Sequence, residues 1–75
     1  MIVDDETTVR ESLKGWLKDA YRVATAETAQ EAMSLAQHLH FDVLLVGLPG
    51  PSGLSIIRAI KESMPNIKSI VITSL

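Results

Sequence analysis

Residues 41–53 read Phe41-Asp42-Val43-Leu44-Leu45-Val46-Gly47-Leu48-Pro49-Gly50-Pro51-Ser52-Gly53. The stretch up to Val46 is nearly all apolar and rich in branched side chains, the pattern of a central parallel strand covered on both faces. Three glycines and two prolines then fall within residues 47–53. Such a segment must leave the sheet and turn, so whatever side chain stands at the junction is presented at a strand end.

Upstream, Thr28-Ala29-Gln30-Glu31 has the form of a capping box, a hydroxyl followed three residues later by a glutamate. It opens a helix with Ala29, Ala32, Met33, Ala36 and Leu39 inward, expected to end near His40. Residues 21–25 read as a strand. Before them, Val9, Leu13, Trp16, Leu17 and Ala20 recur at three and four, an amphipathic helix on which Trp16 is expected to anchor the core. Residues 1–3 form a short apolar run that stops at Asp4-Asp5-Glu6.

Downstream, Ser52 is expected to cap a helix with Leu54, Ile57, Ile60 and Met64 on its apolar face. Pro65-Asn66 ends it and residues 67–73 supply another strand. Strands thus alternate with helices as β-α-β-α-β-α-β within one small domain, residues 1–75. Short connections between alternating elements predict an α/β fold, a parallel sheet with right-handed crossovers and helices on both faces.

A chain of 75 residues with no cysteine has no disulfide to stabilise it. Domains of this size bury only about 60% of the surface that their unfolded chains expose. Yet 47% of the residues are hydrophobic and the mean hydropathy is +0.22, so apolar surface is expected to be left over. Val43-Leu44-Leu45-Val46 is the longest apolar run, far short of a membrane span. Met1 leads into acidic residues rather than a basic leader, and no secretory signal or membrane association is expected. Seven scattered basic residues against nine acidic ones give a net charge of −2, which excludes the footprint of a nucleic-acid binder.

In open parallel sheets, ligands gather beyond the carboxyl ends of the strands. Here those ends deliver Asp4 and Asp5, then Val46-Gly47, then Thr73-Ser74. Adjacent carboxylates can share a hard divalent cation such as Mg²⁺, although acids preceding a helix also serve as caps and dipole partners. His38 and His40 fall at a helix carboxyl end, where a cation suits the dipole better than a ligand role. The glycines of residues 47–53 have neither the spacing nor the Lys-Ser/Thr of a phosphate-binding loop.

Val3-Asp4-Asp5-Glu6 with the helix after it, the Tyr21 to Ala26 segment, Glu31-Ala32, the 41–46 strand, Leu48-Pro49-Gly50 with Ser52-Gly53-Leu54, and Ile70-Val71-Ile72-Thr73 together resemble response-regulator receiver domains. The likeness spans essentially the whole chain, in order. It implies a flavodoxin-like (βα) sandwich with strand order 2-1-3-4 and a two-component signalling role, while the absence of cysteine fits a reducing cytoplasm. It further implies that Asp4 and Asp5 match the Mg²⁺-holding acids and that Thr73 matches a hydroxyl that contacts the phosphoryl group.

The departures weigh more. The family pattern places a phospho-accepting aspartate after the third strand, followed by two or three residues and Leu-Pro-Gly; this chain runs Val46-Gly47-Leu48-Pro49-Gly50. Aligned from the left, Gly47 stands at the acceptor position; aligned from the right, the acceptor is deleted. Asp42, at the start of the same strand, is roughly 16 Å from Gly47 at about 3.3 Å per residue and cannot substitute. The fifth strand with its lysine, the last two helices, and the glycine usual before the tyrosine of the second strand are also missing.

The expectation is therefore an incomplete, degenerate receiver, a pseudo-receiver that is not an enzyme and binds Mg²⁺ weakly through Asp4 and Asp5. It would act by association as a homodimer or with a signalling protein. Side chains left uncovered by the missing elements, Val43, Leu45, Ile70 and Ile72, are the expected interface. The alternatives are phosphoryl acceptance through Ser52, Thr73 or Ser74, and a relic or fragment with no task of its own.

Overall fold

The computed structural model describes residues 1–72; Thr73 and Ser74, assigned roles from the sequence, lie outside the described residues. The elements run β1 (Ile2–Val3), α1 (Thr7–Leu17), β2 (Thr25–Ala26), α2 (Ala29–Ala36), β3 (Val43–Val46), α3 (Pro51–Ser63) and β4 (Lys68–Val71). All strand pairs are parallel and the order is β2-β1-β3-β4, as the alternation predicts. Ile2 and Val3 stand opposite Leu45 and Val46, which stand in turn opposite Ile70 and Val71.

Because side chains alternate across a strand, this register sorts the apolar residues into two faces. Val3, Leu44 and Val46 point toward α2 and α3 and join Ala26, Ala32, Ile56 and Ile60 in one continuous core. The two helices pack on each other as well as on the sheet. Ile2, Val43, Leu45 and Ile70 point the other way, where α1 packs on β1 but contributes no buried residue of its own. Val43 is consequently 40% exposed beside a fully buried Leu44. The third strand, expected to be covered on both faces, is covered on one.

The caps follow local chemistry. Thr28 Oγ1 accepts from the Glu31 backbone N–H at 3.1 Å, the first half of a capping box. The returning Glu31 carboxylate accepts from the N–H of Glu27, one residue before the cap, at 3.4 Å. At α3 the cap is Gly50, with φ +65°, and not Ser52 as expected; Pro51 occupies the first helical turn. Glycine alone adopts that backbone freely, and proline's fixed φ suits a helix start, so the pair sets the boundary ahead of the serine.

Further departures have separate local causes. Trp16 is 78% exposed and anchors nothing, because α1 has only β1 beneath it and half-buried Val9, Leu13 and Leu17 suffice to cover that strand. Tyr21 is exposed in a turn closed by its N–H to Leu17 O at 2.9 Å, and the second strand shrinks to Thr25–Ala26, the length that β1 can pair. The second helix ends at Ala36, short of His40; its last turn tightens as His38 N–H bonds to Leu35 O at 3.1 Å, leaving Leu39 exposed. On α3 the inward stripe is Gly53, Ile56 and Ile60, whereas Leu54 points to solvent. Gly53 permits that rotation, since a Cβ there would stand 3.1 Å from Leu48 O and 3.4 Å from Val46 Cγ1.

The two-faced partition predicts a sharp contrast between large side chains. Ile60→Ala, at a fully buried site, is expected to cost about 2–5 kcal/mol and to leave so small a domain largely unfolded. Trp16→Ala is expected to change stability by no more than about 0.5 kcal/mol. Urea denaturation followed by far-UV circular dichroism checks both.

Candidate functional site

Parallel pairing brings the carboxyl ends of β1, β3 and β4 side by side. The ladder continues one residue past each assigned strand: Asp4 N–H bonds to Ala26 O at 3.1 Å, Gly47 N–H to Val3 O at 2.7 Å and Ile72 N–H to Val46 O at 2.7 Å. Asp4 and Gly47 are thereby held as neighbours at the lip of the sheet. Spatially, Gly47 stands at the end of the third strand, the position that the left-hand alignment gives to the acceptor. It carries no group able to attack phosphorus.

Asp4 is the one buried charged residue among the described residues, 4% exposed. Its Oδ1 accepts from the Glu6 N–H at 2.8 Å, closing a turn just ahead of α1, and its backbone carbonyl accepts from Arg10 Nη1 at 2.7 Å. Arg10 is in turn steadied by Thr7 Oγ1 at 3.1 Å. Asp5, by contrast, is exposed. The adjacent acids therefore diverge: one is folded into the lip, the other is out in water.

Among the described residues no three of His, Cys, Asp or Glu converge as metal ligands. A hard cation needs several oxygens at once. One Asp4 oxygen is committed to Glu6, Asp5 is exposed, and residue 47 offers no side-chain oxygen. The donor set does not fit the Mg²⁺ that the resemblance implies, and no step is routed through it. Asp42 lies at the opposite end of β3, its carbonyl accepting from Lys68 N–H at 3.0 Å, so it cannot reach the lip. Ser52 is exposed in the first turn of α3. His38 Nδ1 lies 3.0 Å from Ser34 O beyond the end of α2, while His40 is exposed with no hydrogen-bond partner among the described residues.

A second feature is the uncovered sheet face. Val43, Leu45 and Ile70 line one depression with Ile2, Leu17 and Tyr21, and Ile70 is 53% exposed. Ile72 is half-buried. Val71, absent from the residues expected at the interface, is 57% exposed on the opposite face. Strand alternation carried that signal, because Val71 pairs with Val46 and so faces the side of α3, which does not extend over it. Among the described residues no helix is long and apolar enough to cross a membrane.

Residues 1–75 match the family described as response regulator receiver domain. The chain is 33% identical over 75 residues to the hydrogenase transcriptional regulatory protein HoxA of Cupriavidus necator, which covers 97% of this chain and 16% of that protein. It is 35% identical over 78 residues to the response regulator GacA of Pseudomonas aeruginosa, covering 97% of this chain and 36% of that one. It is 31% identical over 75 residues to a cyclic di-GMP phosphodiesterase of Thermotoga maritima, covering 99% of this chain and 20% of that one. The chain thus spans about a third or less of the length of these relatives.

The hydrogen bonding at the lip predicts unequal roles for the paired acids. Asp4→Ala is expected to cost about 1 kcal/mol by orphaning the Glu6 N–H. Asp5→Ala is expected to stay within about 0.5 kcal/mol. Thermal denaturation of the two variants tests the difference.

Proposed function

The chain belongs to the response regulator receiver domain family, and from that premise we propose that it is a degenerate receiver of two-component signalling that works by association rather than by accepting phosphate. The observation that carries this reading is Gly47 at the end of β3, in ladder register beside Asp4. Hydrogen replaces the only side chain that the family mechanism would phosphorylate. The carboxylate beside that point belongs to Asp4, whose Oδ1 is committed to the Glu6 N–H, and Mg²⁺, with the free acid Asp5 out in water, is held weakly if offered.

A non-enzymatic role is supported by the relatives themselves. The segment matching this chain occurs both in a protein named as a transcriptional regulator and in one named as a phosphodiesterase. A segment common to two such different activities supplies regulation to them rather than chemistry. The setting we propose is the cytoplasm, where two-component receivers meet their partners.

The partner we propose is a second copy. Val43, Leu45 and Ile70 form a contiguous apolar strip along adjacent strands, and Val71 exposes the back of the same edge strand. Such strips are uncommon on monomers, and a parallel edge strand also offers unpaired backbone groups. A two-fold pairing would cover both copies with one surface, Ile72 at its margin. A signalling protein with a matching apolar face is the other occupant that the test can reveal.

Two outcomes are expected. Incubation with a small phosphodonor and Mg²⁺, read by intact mass, yields no stoichiometric phosphoryl adduct; an adduct on Ser52, Thr73 or Ser74 would instead establish acceptance through a non-standard residue. Sedimentation at micromolar concentration gives a dimer, and Ile70→Asp gives a monomer or an unfolded chain. A stably folded wild-type monomer contradicts the association.

A further inference from the structure

Gly47 is not explained by its backbone. Among the glycines only Gly50 has a positive φ, so residue 47 adopts a conformation open to any L-residue. Nor is it pressed by the sheet or by a helix. A Cβ built on Gly47 would overlap Asp4 Oδ2, stand 3.0 Å from Asp4 Cγ and 3.6 Å from Asp4 Cβ; its three nearest neighbours are all atoms of that one side chain.

We propose that Asp4 closes the lip of its own sheet: its carboxylate fills the space that a side chain on residue 47 needs, so the inward acid and the glycine are mutually required. Two observations hold the carboxylate in that place. Oδ1 is fixed by the Glu6 N–H at 2.8 Å, and the residue's own carbonyl is fixed by Arg10, so the side chain cannot swing out without releasing the turn that starts α1. With Asp4 only 4% exposed, the carboxylate occupies the lip as an internal plug. A residue that could have faced a ligand has become a positioning residue for β1, α1 and the end of β3. A side chain installed at position 47 therefore has to displace the Asp4 carboxylate from its present place. The inference rests on geometry alone, and it can fail while the proposal of a degenerate receiver stands.

The test is a double-mutant cycle on the full chain with Gly47→Ala and Asp4→Ser. Serine keeps an oxygen near the Glu6 N–H but lacks the overlapping Oδ2. In the wild-type background Gly47→Ala is expected to lower the folding equilibrium constant roughly tenfold, as overpacking does. In the Asp4→Ser background the same change is expected to be neutral or stabilising, since alanine restricts the unfolded chain more than glycine does. A reversal of sign between backgrounds, or rescue of an unfolded Gly47→Ala by Asp4→Ser, supports the plug. An equal cost in both backgrounds, or no cost in either, overturns it. Gly47→Asp read in the same two backgrounds gives a second measurement, expected to be tolerated only beside serine.

Discussion

The structure depends on the parallel pairing of β3 with β1 on one side and β4 on the other. Every other element is placed by that strand. Its register sets Leu44 and Val46 against α2 and α3, where a continuous core forms, and sets Val43 and Leu45 toward the face that only α1 approaches. The same register carries Gly47 to the lip beside Asp4. Core, open face and the pairing of Gly47 with Asp4 at the lip are consequences of one strand read in three directions.

Energetically the arrangement is lopsided. One face of the sheet is sealed by two helices that also pack on each other; the other has a single helix without a buried residue. A small domain derives most of its stability from the apolar area it removes from water. Leaving branched side chains of two adjacent strands in solvent forgoes part of that gain. The proposed association would recover it, which ties the stability of the fold to its proposed mode of action.

Much of this was legible in the sequence. Order and direction of the strands followed from apolar runs separated by capped helices, and the glycine at the end of the third strand followed from Gly47 directly after Val46. What was not legible was non-local. The period of three and four put Trp16 on the inner flank of α1, but periodicity names a side and not whether a neighbour stands there. Ser52 satisfied the rule for a cap, yet the left-handed Gly50 with Pro51 behind it started the helix earlier. Leu54 faces solvent because the small Gly53 beside it lets the Gly53, Ile56 and Ile60 stripe approach the sheet.

Asp4 is the clearest case of the limit. In sequence it reads as one of two equivalent acids; in the fold it is buried beside Gly47 while Asp5 faces water. On the proposed account, the inward turn of Asp4 depends on a side chain that is absent some forty residues away, which no local pattern records.

The central claim is that the open face of β3 and β4 is covered by another copy of the chain. Isotope-filtered nuclear Overhauser spectra of a mixed sample, one copy methyl-labelled and the other unlabelled, address it most directly. Contacts between copies at the methyl groups of Val43, Leu45 and Ile70 are the predicted result. Methyl groups that see only their own chain and water, in a sample that remains folded, would contradict it.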